Sequence, residues 1–256
     1  MIDELFNLAG KTALVTGGSQ GIGKYISLAL AEKGADIIIN YRSDDRLAFE
    51  TQKEIDALGR KCVLIRYDLS KDDASTVLAR QVTDAGLQVD ILVLNASIQI
   101  RKNWYEVTNE EFEIQINTNL RASLFLIKQF YPAMKEKGWG RILTVGSVQQ
   151  VRPHQQMIIY AASKCAQLSF MKNLAPQFAP YGVTINNLAP GVIATGRNAE
   201  VMQDEAYKHL LEKKIPLGYI GKSADCASSA LLLCSDAGRY ITGADLFVDG
   251  GMGLLV

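Results

Sequence analysis

An excess of charge of either sign is missing from this sequence: its 256 residues carry 27 basic and 27 acidic side chains, a formal net charge of zero. Nucleic acid or an anionic membrane as the main partner would select a basic surface, so neither is expected. Long apolar runs are missing too; none approaches the ~18–20 residues that a membrane span needs. The opening, Met1 to Phe6, is acidic and lacks a basic stretch with an apolar one behind it. That predicts no signal peptide and a cytoplasmic protein. The four cysteines, Cys62, Cys165, Cys226 and Cys234, lie far apart without a Cys-x-x-Cys pair, and read as buried free thiols in a reducing compartment. No His/Cys/Asp cluster has ligand spacing, so no metal is expected. Linkers rich in proline and glycine, low-complexity tracts and repeats are also absent, which makes residues 1–256 a single domain. Its least regular stretch, about 196–220, is expected to act as a flap over the substrate.

What the sequence does have is alternation. Short β-branched apolar runs recur at Thr12–Thr16, Asp36–Tyr41, Lys61–Tyr67, Asp90–Asn95, Arg141–Gly146, Val183–Leu188 and Ala244–Val248. Between them, apolar residues fall at helical spacing, as at Ile22, Ile26, Ala29 and Leu30. Strands apolar on both faces and separated by helices imply βαβ units: an α/β fold with a doubly wound, seven-stranded parallel sheet and helices on both faces. Thr108 and Glu111 read as a capping box that opens a long helix running to about Met134.

Strand one runs straight into Thr16, Gly17, Gly18, Ser19, Gln20, Gly21, Ile22 and Gly23, and a helix follows at once. Glycines permit a tight turn and close approach of a ligand to the backbone, while the helix end offers unpaired N–H groups to a pyrophosphate. The spacing, Gly-x-x-x-Gly-x-Gly, differs from the commoner dinucleotide fingerprint.

Tyr-x-x-x-Lys occurs three times, at Tyr67/Lys71, Tyr131/Lys135 and Tyr160/Lys164. The first runs from the end of a strand into a turn, and Pro132 disturbs the second. Only Tyr160 opens a proline-free stretch, to Leu174, where residues four apart share a helix face. Ser147 ends the fifth strand, at the carboxyl edge where open α/β sheets bind ligands. A tyrosine hydroxyl titrates near 10, and a lysine ammonium beside such a group favours the phenolate. Bringing it towards ~7 takes about 3 units, roughly 4 kcal/mol, within reach of one cation ~4 Å away in a desolvated cleft. A serine hydroxyl beside it would hold the substrate oxygen while the tyrosine moves a proton.

With Asp68 and Leu69 after strand three and Asn95 and Ala96 after strand four, these motifs resemble the short-chain dehydrogenase/reductase family, and the resemblance runs from about Leu8 to Gly253. It implies a Rossmann fold and a tetrad of Asn119, Ser147, Tyr160 and Lys164. In that pattern Tyr160 is the general acid/base and Ser147 positions the carbonyl. Lys164 binds the nicotinamide ribose, and Asn119 holds a water that relays the proton. Further residues implied at the cofactor are Gly17, Ser19, Gln20, Gly21, Ile22, Gly23, Asp68, Leu69, Asn95, Ala96, Ser97, Pro190, Gly191, Ile193 and Thr195. The chain departs from the family at Ser97, where a glycine is usual, and at Ser19 and Gln20, where many NADP-dependent members carry arginine. At the end of strand two, Tyr41 takes the place of the acidic residue of NAD-selective relatives, and Arg42 and Ser43 follow it. NADP is therefore the expected cofactor, with NAD left open. The resemblance also implies a homotetramer.

The function implied is hydride transfer between the nicotinamide and a small polar carbonyl or secondary alcohol, sugar- or polyol-like. The stretches 97–102, 149–156 and 195–198 supply many hydrogen-bonding side chains and few large apolar ones, with Gln149, His154 and Arg197 as candidate substrate contacts. Alternatives are a 3-oxoacyl-carrier-protein reductase, which needs a basic docking patch such as Lys135 and Lys137, and a non-catalytic dinucleotide sensor. Competing local readings make His154 a solvated loop residue, His209 an exposed one and Trp104 a packing anchor.

Overall fold

Successive strand residues divide between two cores. Ala13 and Val15, Ile37 and Ile39, and Ile91 and Val93 join one apolar cluster, while Leu14, Ile38, and Leu92 and Leu94 join the other. This is the alternation of a pleated strand buried on both faces. In a computed structural model, which describes residues 1–196 and 203–254, these strands are β1 (Thr12–Thr16), β2 (Asp36–Tyr41), β3 (Cys62–Arg66), β4 (Ile91–Leu94), β5 (Gly140–Val145), β6 (Val183–Pro190) and β9 (Asp245–Val248). They form one parallel sheet in the order β3-β2-β1-β4-β5-β6-β9. The seven predicted strands are all present, two with the expected bounds and five shifted by one or two residues at an end. A two-residue pair, β7 (Ile193–Ala194) with β8 (Gly221–Lys222), was not expected.

One face is covered by α2 (Gly21–Glu32), α3 (Asp45–Ala57) and α9 (Ala227–Cys234). The other is covered by α4 (Ala74–Asp84), α6 (Ala122–Lys137) and α7 (Ile158–Phe178). The remaining helices are α1 (Ile2–Leu5), α5 (Asn109–Ile116) and α8 (Glu205–Glu212). The strand order reverses between β1 and β4, which opens a crevice at the carboxyl edge of the sheet.

The Thr108–Glu111 capping box forms. The long helix behind it is interrupted: α5 passes through a wide π-turn, Asn117–Arg121, before α6 continues to Lys137. Such turns insert an extra backbone residue and cluster at functional sites. Gly138 ends α6 with φ +69°, the left-handed conformation that glycine adopts without strain. Two expectations about proline are corrected. Pro132 lies inside α6, and α7 runs through Pro176 to Phe178, well past Leu174. Both prolines are exposed, where a freed carbonyl is met by water. Among the cysteines, Cys165 is exposed, contrary to expectation, while Cys62, Cys226 and Cys234 are buried. Burial pushes each of these three thiols up to about 12. Trp104 is 71% exposed, its ring edge-on to Tyr105 at 5.9 Å, and is no anchor of the core. His209 is exposed on α8, as expected. Of the stretch expected to form a flap, 197–202 lies outside the described residues. Its remainder carries α8 and β8.

Candidate active site

The crevice widens into a cavity of about 680 Å³ at the carboxyl ends of the strands, a size usual for small-molecule sites. Its nucleotide-side wall begins at the glycine turn. Gly17 and Gly21 hold φ of +62° and +54°, and Gly23 packs so closely that a Cβ would overlap the Gly17 carbonyl oxygen and stand 2.5 Å from Asn95 Nδ2. A side chain at either end of the turn would therefore close the cradle in front of the α2 N-terminus, whose cap, Gln20, has no side-chain hydrogen bond. A pyrophosphate on that helix end would meet the free N–H groups of the first turn.

Of the residues read at the cofactor, Gly17, Ser19, Gln20, Gly21, Ile22, Tyr41, Arg42, Ser43, Asp68, Leu69, Asn95, Ala96, Ser97, Tyr160, Pro190, Gly191, Ile193 and Thr195 line the cavity. Gly23 and Lys164 do not. Gly23 is buried beneath the turn, and Lys164 stands behind the wall. Several lining groups are already engaged. The Asn95 side-chain amide donates to the Thr16 and Gly17 carbonyls (2.9 and 3.1 Å), which ties the end of β4 to the glycine turn. Asp68 accepts from the Ser70 N–H. The Tyr41 hydroxyl donates to Asp45 Oδ1 (2.8 Å), and burial together with that carboxylate raises its pKa. Arg42 and Ser43 are exposed at this end of the cavity.

Ser147 and Tyr160 line the opposite part of the cavity and are buried. Ser147 follows β5 and caps the short turn behind it: its Oγ accepts from Gln149 N–H (3.1 Å), and its own N–H donates to Gln150 Oε1 (3.0 Å). Gln150 is held in turn by Asn187 and Asp245 on β6 and β9. One helical turn beyond Tyr160, Lys164 is 1% exposed, with its Nζ 5.8 Å from the Tyr160 ring centroid. That ammonium donates to the Val145 carbonyl (2.7 Å) and to Gln167 Oε1 (3.2 Å). A buried charge needs such partners.

Asn119 sits in the π-turn and is fully buried. Its Oδ1 accepts from Ile98 N–H (2.7 Å), and its Nδ2 donates to the Ile98 carbonyl (2.9 Å) and to Ser163 Oγ (3.0 Å). Both amide hydrogens are used, so the side chain pins the β4–α5 loop. Its main-chain carbonyl accepts from Ser123 Oγ. Sequence reading missed Ser123, Gln167 and Gln150. The first two had a signal, since they stand four and three residues after Asn119 and Lys164 on the same helix faces.

Gln149 and His154 both line the cavity, and Arg197 lies outside the described residues. Burial, with Arg101 and Lys214 nearby, lowers the His154 pKa, so His154 is not a freely solvated loop histidine. Among the described residues, no group of three or more His, Cys, Asp or Glu is placed to hold a metal ion, and no helix is long and apolar enough to cross a membrane.

The comparisons agree with this geometry. A family model described as enoyl-(acyl carrier protein) reductase matches residues 17–253. The chain is 34% identical to 3β-hydroxysteroid dehydrogenase 1 of Eggerthella lenta over 249 residues, 97% of this chain and 95% of that one. It is 34% identical to glucose 1-dehydrogenase 2 of Bacillus subtilis over 250 residues, 97% and 96% of the two chains. The solved 3-oxoacyl-(acyl-carrier-protein) reductase of Agrobacterium tumefaciens C58, with NADP bound, superimposes with a TM-score of 0.93 at 34% identity, covering 98% of this chain and 97% of that one. The chain belongs to the short-chain dehydrogenase/reductase family and is an NAD(P)-dependent oxidoreductase acting on CH–OH groups.

Proposed function

We propose that the protein uses NADP(H) to interconvert a small, polar, sugar-like secondary alcohol and its carbonyl compound, with Tyr160 as general acid/base. The observation that carries this reading is the single cavity shared by the glycine turn, Ser147 and Tyr160, with Lys164 buried behind the tyrosine. Gly17 to Ile22 would hold the pyrophosphate, Arg42 and Ser43 a 2′-phosphate, and Ile193 and Thr195 the carboxamide. Bound there, the nicotinamide supplies the hydride acceptor or donor.

The chain's own groups manage the proton. Tyr160 takes the hydroxyl proton in oxidation and returns it in reduction. Ser147 hydrogen-bonds the same oxygen and stabilises the charge that develops on it. Lys164, held by Val145 and Gln167, brings a positive charge to the tyrosine ring and would bind the cofactor ribose. Asn119 positions the loop after β4.

A polar substrate suits the far wall. Gln149 Oε1 and Thr118 Oγ1, both on the cavity, are buried without a hydrogen-bond partner. A steroid or acyl chain would leave them so at roughly 1–3 kcal/mol each. A carrier protein is disfavoured because the basic patch it would use is elsewhere. Lys137 pairs with Asp90, and Lys135 lies over the Tyr181 ring, both at the amino edge of the sheet, a strand's length from Ser147. The similarity to a glucose dehydrogenase points the same way. Assaying aldoses, ketoses and polyols beside acetoacetyl thioesters with NADP(H) and NAD(H) tests the proposal: efficient turnover of the thioester alone overturns it.

The proposed assembly is a cytoplasmic homotetramer of single-domain chains. Phe112, Leu124 and Phe125 on α5 and α6, each between 41% and 46% exposed, are the apolar surface that supports association, and four unpaired thiols support a reducing compartment. A monomeric mass by light scattering at micromolar concentration would contradict it.

A further inference from the structure

The loop after β4 is tied down along one side by α5 and the π-turn. Asn119 grips the Ile98 peptide, the Ile100 N–H donates to Gln115 Oε1 (3.2 Å), and Lys102 pairs with Glu111 (2.9 Å). Residues 98, 100 and 102 are thus secured towards α5 and the π-turn. Ser97, Ile98, Gln99 and Arg101 line the cavity, whereas Ile100 and Lys102 do not. Three polar side chains of this loop, Ser97, Gln99 and Arg101, therefore reach the cavity, and the last of them brings an exposed guanidinium as the outer rung.

A second loop holds His154 across from that rung. The Lys102 N–H donates to the Gln156 carbonyl (2.9 Å), which joins the two loops beside Arg101. The Gln156 N–H donates to His154 Nδ1 (3.2 Å), so the neutral imidazole carries its proton on Nε2 and is a donor there. Lys214 adds a second cation close enough to affect His154.

The cavity's carboxylates are all at its other end. Among the described lining residues these are Asp44 and Asp68, after β2 and β3. On α8, Glu212 faces His209 at 3.8 Å. Arg101 forms no ion pair among the described residues. Among the described lining residues, the substrate end thus gathers cationic and neutral donors and no carboxylate, while Gln149 Oε1, nearby on the wall, is a buried acceptor that only a donor such as a hydroxyl satisfies.

We propose that the substrate alcohol carries a carboxylate, held by the Arg101 guanidinium and His154 Nε2–H, with one of its hydroxyl groups donated to Gln149 Oε1. The substrate class is then a hydroxy acid of the sugar-acid type. A planar guanidinium takes a carboxylate through two parallel hydrogen bonds, which fixes both the distance and the direction of the reacting carbon. This inference rests on the proposed function above and deepens it.

The test compares D-gluconate with the neutral D-glucitol, and includes D-glucose 6-phosphate as a phosphate-bearing probe. It uses the full-length protein and its Arg101→Gln and Arg101→Lys variants. The expected result is a kcat/KM at least tenfold higher for gluconate than for glucitol. That ratio falls roughly 10- to 100-fold in Arg101→Gln, the range for losing a hydrogen bond to a charged group, mainly through KM. Arg101→Lys recovers part of it, since charge remains and the fork is lost. A ratio at or below one in the unaltered protein, or one that Arg101→Gln leaves unchanged, overturns the carboxylate site and leaves the proposed function standing. So does preferred turnover of the phosphate. Turnover of none of the three probes, with aldoses and ketoses also inert, overturns both.

Discussion

Lys164 and Asn119, 45 positions apart in sequence, are joined through two buried side chains. Lys164 Nζ donates to Gln167 Oε1 (3.2 Å), Gln167 Nε2 donates to Ser123 Oγ (2.9 Å), and Ser123 Oγ donates to the Asn119 carbonyl (3.0 Å). All four residues are at most 4% exposed. The link locks α7 to the π-turn, so the lysine behind the tyrosine and the asparagine behind the substrate loop keep one fixed geometry.

Breaking that link at its centre is expected to be costly. Gln167→Leu leaves the ammonium with one neutral partner fewer and removes the hydrogen bond that Ser123 Oγ accepts. Removing a hydrogen bond to a buried charge costs ~1.5–3 kcal/mol. Chemical denaturation should show that loss of stability, and kcat should fall with little change in the dissociation constant of NADPH measured by fluorescence. A variant as stable and as active as the parent would show that the link carries no load.

Tyr160→Phe removes only the ionisable hydroxyl. Turnover should fall by roughly 10²–10⁴-fold, the range for a positioned acid/base, while NADPH binding is nearly preserved. Retention of more than about a tenth of kcat would refute the role.

Arg42→Ala should lower the ratio of kcat/KM with NADP to that with NAD by about an order of magnitude, as expected for losing a charge-assisted contact to phosphate in an exposed setting. An unchanged ratio would transfer selectivity to Ser43 or to the glycine turn.

Gly23→Ala places a Cβ against the Gly17 carbonyl and Asn95. Overpacking of this kind costs ~1–3 kcal/mol. Here it also distorts the cradle, so NADPH affinity should drop even where the protein still folds, as read by titration beside a thermal melt.

The thiols give a pH-dependent expectation. Cys62, Cys226 and Cys234 titrate near 12 when folded, against 9.0 for a free thiol. Above pH 9 the unfolded chain loses these protons and the folded one keeps them. Their contribution to stability is therefore fully present below pH 9 and is lost as the pH rises towards 12. A thiol reagent at pH 8 should label one cysteine per native chain, Cys165, and four in denaturant. Rapid labelling of a second would contradict the burial.

All seven sheet strands were legible in the sequence because a parallel strand covered on both faces is apolar at most of its positions, and that leaves a run visible without any partner. The glycine turn was legible for a related reason: only glycine fits Gly17 and Gly21, and Gly23 admits no side chain. Ser147, Tyr160 and Lys164 were readable because a helix sets Tyr160 and Lys164 on one face, and strand order sends Ser147 to the ligand edge. What the sequence hid depends on approaches between segments distant in the chain. That Asn119 spends its amide on Ile98, that Gln167 meets Ser123, and that residues 97, 99 and 101 face the cavity follow from how α5, the π-turn and α7 pack against the loop after β4. The π-turn itself comes from that packing, since Asn117 to Arg121 is compatible with an ordinary helix. Local propensity determined the elements, and only tertiary contact decided which polar groups were left free to meet a substrate.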